Sequence, residues 1–216
     1  MKPGASAAWT LLGGALVLAS LGVAAAGLAG GWRGLLPSAQ ALDGVLAWRP
    51  DRLASEPWRL WTAAFVHLSP LHLLANGAGG LLVVALGRAA RLPASAAAAW
   101  MLAWPLTHLG LLAAPALMAY GGLSGVLHAG VACVAAYLVV LPADERVRSR
   151  RRAGWAILAV LLVKVLLEQP WLGGGGARQV EGWDIPVASV AHASGLLAGL
   201  VSSVAVLAIV RALRRR

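Results

Sequence analysis

The sequence predicts an all-α membrane protein: a single domain over residues 1–216, with its core at about 55–210, built as a bundle of six transmembrane helices with both termini cytoplasmic. Three observations predict this. Only 12% of the 216 residues are charged and 60% are apolar, with mean hydropathy +0.77, whereas soluble domains carry about 25% charge. The apolar residues fall into runs of roughly 15 to 25, the length that crosses a hydrocarbon core. The formal net charge of +10 sits in short clusters between those runs. There it reads as a topology signal, which excludes nucleic acid as a partner and makes membrane lipid the expected one.

The first run covers 7–29 and is preceded by Lys2. It is Ala-rich and ends in small residues, as a secretory signal does, but it exceeds a signal's apolar core and favours a retained span. Residues 30–59 form a mixed loop. Its Trp32, Trp48 and Trp58 lie among Arg33, Asp43, Arg49, Asp51, Arg52, Glu56 and Arg59, a composition expected of a segment resting at the membrane interface. The second span starts at Leu60 or Ser69 and ends near Leu86, before Arg88 and Arg91. Pro93 opens the third, over 94–112, with Pro105 inside it. The fourth starts at the Gly-Ser stretch around Ser124 and ends near Pro142. A charged linker over 144–152 leads into the fifth, 153–167. A loop containing Gly173, Gly174, Gly175 and Gly176 precedes the sixth, 187–210, which ends in Arg211, Arg214, Arg215 and Arg216. Cys133, alone in an apolar run, is a packing residue, so no disulfide framework exists.

Six spans put the termini and the loops after spans two and four on one side. That side collects twelve basic residues against five on the other, so it is the cytoplasmic side. The same arithmetic brings His72, Ser124 and His192 to the starts of spans two, four and six, all at the non-cytoplasmic face. Three chemically capable side chains thereby converge at one depth.

Ser124 stands between Gly122 and Gly125, where the backbone can turn tightly and come close to a neighbour. The run that follows is apolar except for His128. A serine at the mouth of a helix has unpaired N–H groups and a partial positive charge beside it, suited to an oxyanion. His192, Gly195 and Gly199 share one helix face, and the glycines form a GxxxG strip. The fourth span offers a matching strip in Gly125, Ala129, Ala132 and Ala136. Close packing of the two would bring the imidazole to the hydroxyl, which needs a base before it becomes a nucleophile. Ser124 is therefore the candidate nucleophile and His192 its base, for peptide-bond hydrolysis at or within a membrane. Taken alone, the GxxxG strip fits a helix contact with a hydrogen-bonded core histidine equally well.

His72 and Asn76 are four apart and share a helix face. They form a pair of donors for a tetrahedral oxyanion, although a polar clasp between helices accounts for the pair more simply when it is taken by itself. His67 is expected nearer the interface, orienting the loop. The five histidines, His67, His72, His108, His128 and His192, show no HExxH spacing or carboxylate pair, so no metal and no organic cofactor is expected. No acidic residue is evidently placed to orient His192. Asp184 lies across Pro186, so a Ser–His dyad is expected rather than a triad. Lys164 and Glu168, four apart near the outer end of span five, read as a self-neutralising pair. An ion path is the alternative, and Glu168 could also meet substrate.

Together these residues resemble the rhomboid intramembrane serine proteases. The resemblance lies in Trp58-Arg59, His72-x-x-x-Asn76, Gly122-Leu123-Ser124-Gly125 and Ala191-His192-x-x-Gly195, in order on the expected spans from about residue 55 to 200. It implies a rhomboid-like six-helix fold with a water-filled cavity, a Ser124–His192 dyad, and an oxyanion site of His72, Asn76 and the backbone N–H groups of Leu123 and Ser124. It further implies transmembrane protein substrates with a small-residue cleavage region, and residence in a bacterial inner membrane with the active site facing the non-cytoplasmic side. Many rhomboids carry Tyr where His128 stands. That difference, with Lys164-x-x-x-Glu168-Gln169, resembles the rhombosortase branch, thought to cleave C-terminal sorting tails of exported proteins. A non-catalytic rhomboid-like binding protein and a small transporter are the rival readings.

Overall fold

The computed structural model describes residues 6–29, 44–140 and 145–215. They form seven α-helices: α1 (Ala7–Ala29), α2 (Arg59–Thr62), α3 (Pro70–Ala89), α4 (Ala94–Leu109), α5 (Ser124–Val140), α6 (Glu145–Leu167) and α7 (Val190–Arg214). Two isolated antiparallel bridges, Trp48 with Tyr120 and Arg178 with Val187, tie loops together. Residues 7–26, 70–89, 94–113 and 190–214 are long and apolar enough to cross a membrane. The chain is an integral membrane protein. α5 is also apolar but has 17 residues, about 26 Å of helix against a core of about 30 Å.

Several boundaries differ from expectation, each for a local reason. Of the two expected starts for the second long helix the structure has the later: Ser69 caps it by accepting from the His72 amide at 3.0 Å, and Pro70 takes the first helical position. Residues 59–65 become a separate short helix and 3-10 turn. α6 begins at Glu145, because the arginines after it are good helix formers and continue the helix instead of breaking it. α7 starts at Val190 because Val187 is held extended, exchanging two backbone hydrogen bonds with Arg178. It runs on to Arg214, where basic residues suit a helix C-terminus.

The loop expectation is corrected at Trp48. Its side chain is fully buried, and its backbone pairs with Tyr120 at 2.8 and 3.0 Å, so it belongs to the core and not to the interface. Trp58, at 48% exposure, does face outward. Trp32, Arg33, Asp43, Pro142 and Asp144 lie outside the described residues.

α5 is central, touching α3, α4, α6 and α7. α1 packs on α3 and α4 through Trp9, which stacks on Trp100 at 4.5 Å and donates to the Val83 carbonyl at 3.0 Å. Trp100 in turn donates to the Val126 carbonyl at 2.8 Å. The two buried indole N–H groups, which would be costly to bury unpaired, thus find carbonyl acceptors. α3 and α6 flank a shared cavity of 1120 Å³, walled by Gly79, Leu82 and Leu86 of α3 and Ile157, Val160 and Leu161 of α6.

Candidate active site

Ser124 is the first residue of α5, and the backbone before it is bent to put it there. Gly122 has φ +145°, which an L side chain rarely adopts, and a Cβ on it would lie 2.9 Å from His72 Nε2. The Gly122 amide donates to the Ala63 carbonyl at 2.9 Å, and Tyr120 Oη donates to the Gly122 carbonyl at 3.0 Å. Ser124 Oγ is left facing the cavity. The Leu123 and Ser124 amides stand at the helix start, where no preceding turn offers them a carbonyl.

His192 arrives from α7 by the expected route. A Cβ on Gly195 would meet the Gly125 carbonyl oxygen at 1.9 Å, and one on Gly199 the Ala129 carbonyl at 2.4 Å. Only hydrogen at these positions lets α7 lie this close to α5. His192 Nε2 is then 3.0 Å from Ser124 Oγ.

The expected absence of an acidic partner is corrected. Glu168 Oε2 is 2.7 Å from His192 Nδ1, while its Oε1 accepts from Lys164 Nζ at 2.6 Å. A carboxylate can only accept, so Nδ1 carries the hydrogen and Nε2 is free to take the serine's. Glu168 follows the last residue of α6, and its carbonyl accepts from Arg178 Nη2 at 2.6 Å and Ser189 Oγ at 3.3 Å. Sequence shows the Lys164–Glu168 spacing. It carries no signal for a contact to a histidine 24 positions later. Asp184 serves elsewhere, accepting from Ser69 Oγ at 2.8 Å and so tying the loop before α7 to the head of α3.

His72 and Asn76 both line the cavity. The Leu68 amide donates to His72 Nδ1 at 3.3 Å, so the ring hydrogen is on Nε2, beside Gly122. Asn76 Nδ2 is buried with no hydrogen-bond partner. Five other buried side-chain atoms, on Trp48, His67, His108, Tyr137 and Ser202, are also unpaired among the described residues, but of these six residues only Asn76 lies beside His72 and Ser124 in the cavity lining. A clasp between helices would have satisfied this amide.

His128 Nδ1 donates to the Ser124 carbonyl at 2.7 Å, and its ring stacks on His192. His128, Glu168 and His192 offer ligand atoms within 4.8 Å of one another. The two rings, however, are only 11° from parallel, so their in-plane lone pairs do not converge. His192 also has both nitrogens engaged. The set does not fit a metal ion.

The model of the Rhomboid domain matches residues 54–209. The chain belongs to the rhomboid family. No curated protein matches it.

In this rhomboid the matched region takes in Trp58, Arg59, His72, Asn76, Ser124 and His192. Arg59 is buried at 3% exposure and shapes the loop before α2. It pairs with Glu56 and donates to the Gly44 and Ala47 carbonyls at 2.8 and 2.6 Å. Trp58 Nε1 donates to the Val45 carbonyl at 3.1 Å. Neither touches the serine; both fix the loop that braces Tyr120. His67, expected nearer the interface, is buried 4.9 Å from the His72 ring and donates to the Phe65 carbonyl. His108 donates to the Leu60 carbonyl at 2.6 Å and is structural.

Proposed function

We propose that this rhomboid is a serine endopeptidase that cuts single-span membrane proteins with Ser124 as nucleophile and His192 as its base. The supporting observation is the 3.0 Å separation of His192 Nε2 and Ser124 Oγ at the head of the cleft between α3 and α6. The chain lies in a bacterial inner membrane with six spans, both termini cytoplasmic and the site toward the outer face, as the bias of its arginines favours.

A substrate helix reaches the cleft sideways and unwinds at small, weakly helical residues. Ser124 Oγ bonds to the carbonyl carbon as its proton passes to His192 Nε2. The oxyanion rests on His72 Nε2–H, Asn76 Nδ2–H and the amides of Leu123 and Ser124. The C–N bond then breaks, and Nε2 gives its proton to the amine. Water, deprotonated by the same imidazole, hydrolyses the acyl-enzyme. The Gly-Leu-Ser-Gly-Val-Leu-His form and Lys164-x-x-x-Glu168-Gln169 favour the rhombosortase branch. The substrates are then C-terminal sorting tails with a small-residue motif, one span and a basic end.

The test is cleavage of candidate tails in liposomes by wild type and Ser124→Ala, with phosphonate labelling of the serine. Cleavage and labelling lost together in Ser124→Ala support the reading. Undiminished cleavage by Ser124→Ala overturns it. A wild-type chain that neither labels nor cleaves is a non-catalytic binder, and flux dependent on Lys164 and Glu168 identifies a transporter.

A further inference from the structure

We infer that Glu168 is a positioning residue that makes the site a Ser124–His192–Glu168 triad, with Lys164 as the counter-ion that holds it. This rests on the proposed protease chemistry and goes beyond its two-residue form. Four consecutive contacts carry it: Lys164 Nζ to Glu168 Oε1 at 2.6 Å, Glu168 Oε2 to His192 Nδ1 at 2.7 Å, His192 Nε2 to Ser124 Oγ at 3.0 Å, and His128 Nδ1 to the Ser124 carbonyl at 2.7 Å. The two carboxylate oxygens are divided between two partners. A carboxylate serving only as the lysine's salt-bridge partner has no need to turn Oε2 onto the imidazole.

The chemistry makes use of this division. When Ser124 Oγ bonds to the substrate carbonyl, its proton moves to Nε2 and the imidazole becomes a cation. In a membrane-embedded site that cation is costly without a facing anion. Glu168 supplies the anion and fixes Nδ1 as the protonated nitrogen. The proton on Nδ1 stays there throughout; only the Nε2 proton moves, first from the serine and then to the leaving amine. Lys164 keeps the carboxylate charged and pulls its density away from His192, so the carboxylate does not take the Nδ1 proton. The mount is rigid for a loop residue. The Glu168 carbonyl is held by Arg178 and Ser189, and the loop base is closed by the Arg178–Val187 bridge.

The groups facing His192 are Glu168 and Lys164 from the end of α6, His128 from α5 and His72 from α3. Among them only Glu168 is an anion, so its removal has a distinct signature. In Glu168→Gln the amide donates to Nδ1 and forces the hydrogen onto Nε2, the wrong tautomer. The expected result is a fall in kcat of about 10²- to 10⁴-fold with KM nearly unchanged. The residual rate climbs with pH instead of levelling, and a far-downfield Nδ1–H proton resonance is lost. Glu168→Asp, which keeps the charge, recovers part of kcat. Lys164→Met loses less than Glu168→Gln, because the anion remains. Thermal unfolding in detergent checks that each variant is folded.

A Glu168→Gln enzyme with wild-type kcat and an unchanged pH profile, alongside an inactive Ser124→Ala, overturns the triad and leaves the dyad standing. So does equal loss in Lys164→Met and Glu168→Gln with unshifted profiles, which marks a purely structural ion pair. Cleavage by Ser124→Ala itself defeats the underlying protease reading instead.

Discussion

His128 lies flat against His192, with ring centroids 4.1 Å apart and planes 11° from parallel. The two rings come from different helices, and α5, which carries His128, also supplies the serine at the Nε2 edge of His192. His128 is anchored by its bond to the Ser124 carbonyl, so it is a wall that stops the His192 ring from tipping away.

The first prediction follows from that wall. His128→Ala removes a stacked ring and one hydrogen bond, together worth roughly 1–3 kcal/mol. Cleavage falls about 10- to 100-fold. His128→Tyr restores a ring at the same place and stays within about tenfold of wild type. Equal loss in both variants, measured as kcat on one tail substrate, would show that stacking is not what His128 contributes.

The orphaned amide of Asn76 gives the second. On the proposed mechanism Asn76→Ala removes a donor to the oxyanion, so the expected result is a drop in kcat of about 10²–10³-fold with KM hardly changed. Some activity persists, because His72 Nε2–H and the helix-start amides remain. A variant that instead raises KM with full kcat would assign Asn76 to substrate binding.

The third concerns the contact between α5 and α7. The Cβ in Gly195→Ala would sit 1.9 Å from the Gly125 carbonyl, a backbone atom that cannot swing aside. We expect roughly 1–3 kcal/mol of destabilisation or more and loss of cleavage as His192 is pushed off Ser124. Gly14→Ala in α1, with nothing within 4 Å of the new atom, is neutral or slightly stabilising. Unfolding midpoints in detergent compare the two directly, and an active Gly195→Ala would contradict the packing argument.

His67 supplies a pH prediction. It lies in the loop ahead of α3, and burial holds its pKa well below the usual 6.5, at about 4, partly offset by its bond to the Phe65 carbonyl. A depressed pKa means the folded state resists a proton that the unfolded chain accepts. Its contribution is therefore intact above pH 6.5 and is lost as pH falls toward 4. The full span is worth roughly 3 kcal/mol. His67→Asn keeps a donor near the same carbonyl without titrating, so its thermal midpoint should fall less steeply between pH 6.5 and 4. Parallel curves for wild type and variant would remove His67 from the acid response.

Most of the candidate site is legible in the linear chain, because it is written in local spacings. His72 and Asn76 share a face by being four apart, Gly195 and Gly199 expose a strip by the same rule, and Gly122 marks the turn before Ser124. Boundaries are less legible. Nothing local distinguishes an Arg-rich linker from the first turns of α6, or shows that Val187 is held extended by Arg178. Trp48 misleads because a tryptophan among charges looks interfacial until a distant segment, here at Tyr120, pairs with it.

The sequence by itself determined a membrane-embedded helical protein with its candidate serine and histidine on two helices that small residues allow to touch. Tertiary structure alone decided what stands behind the histidine. Spacing reports neighbours within one helix, where geometry repeats every few residues. Glu168 meets His192 across a loop whose path depends on Arg178, Ser189 and Val187 closing together, and no periodic signal encodes that closure.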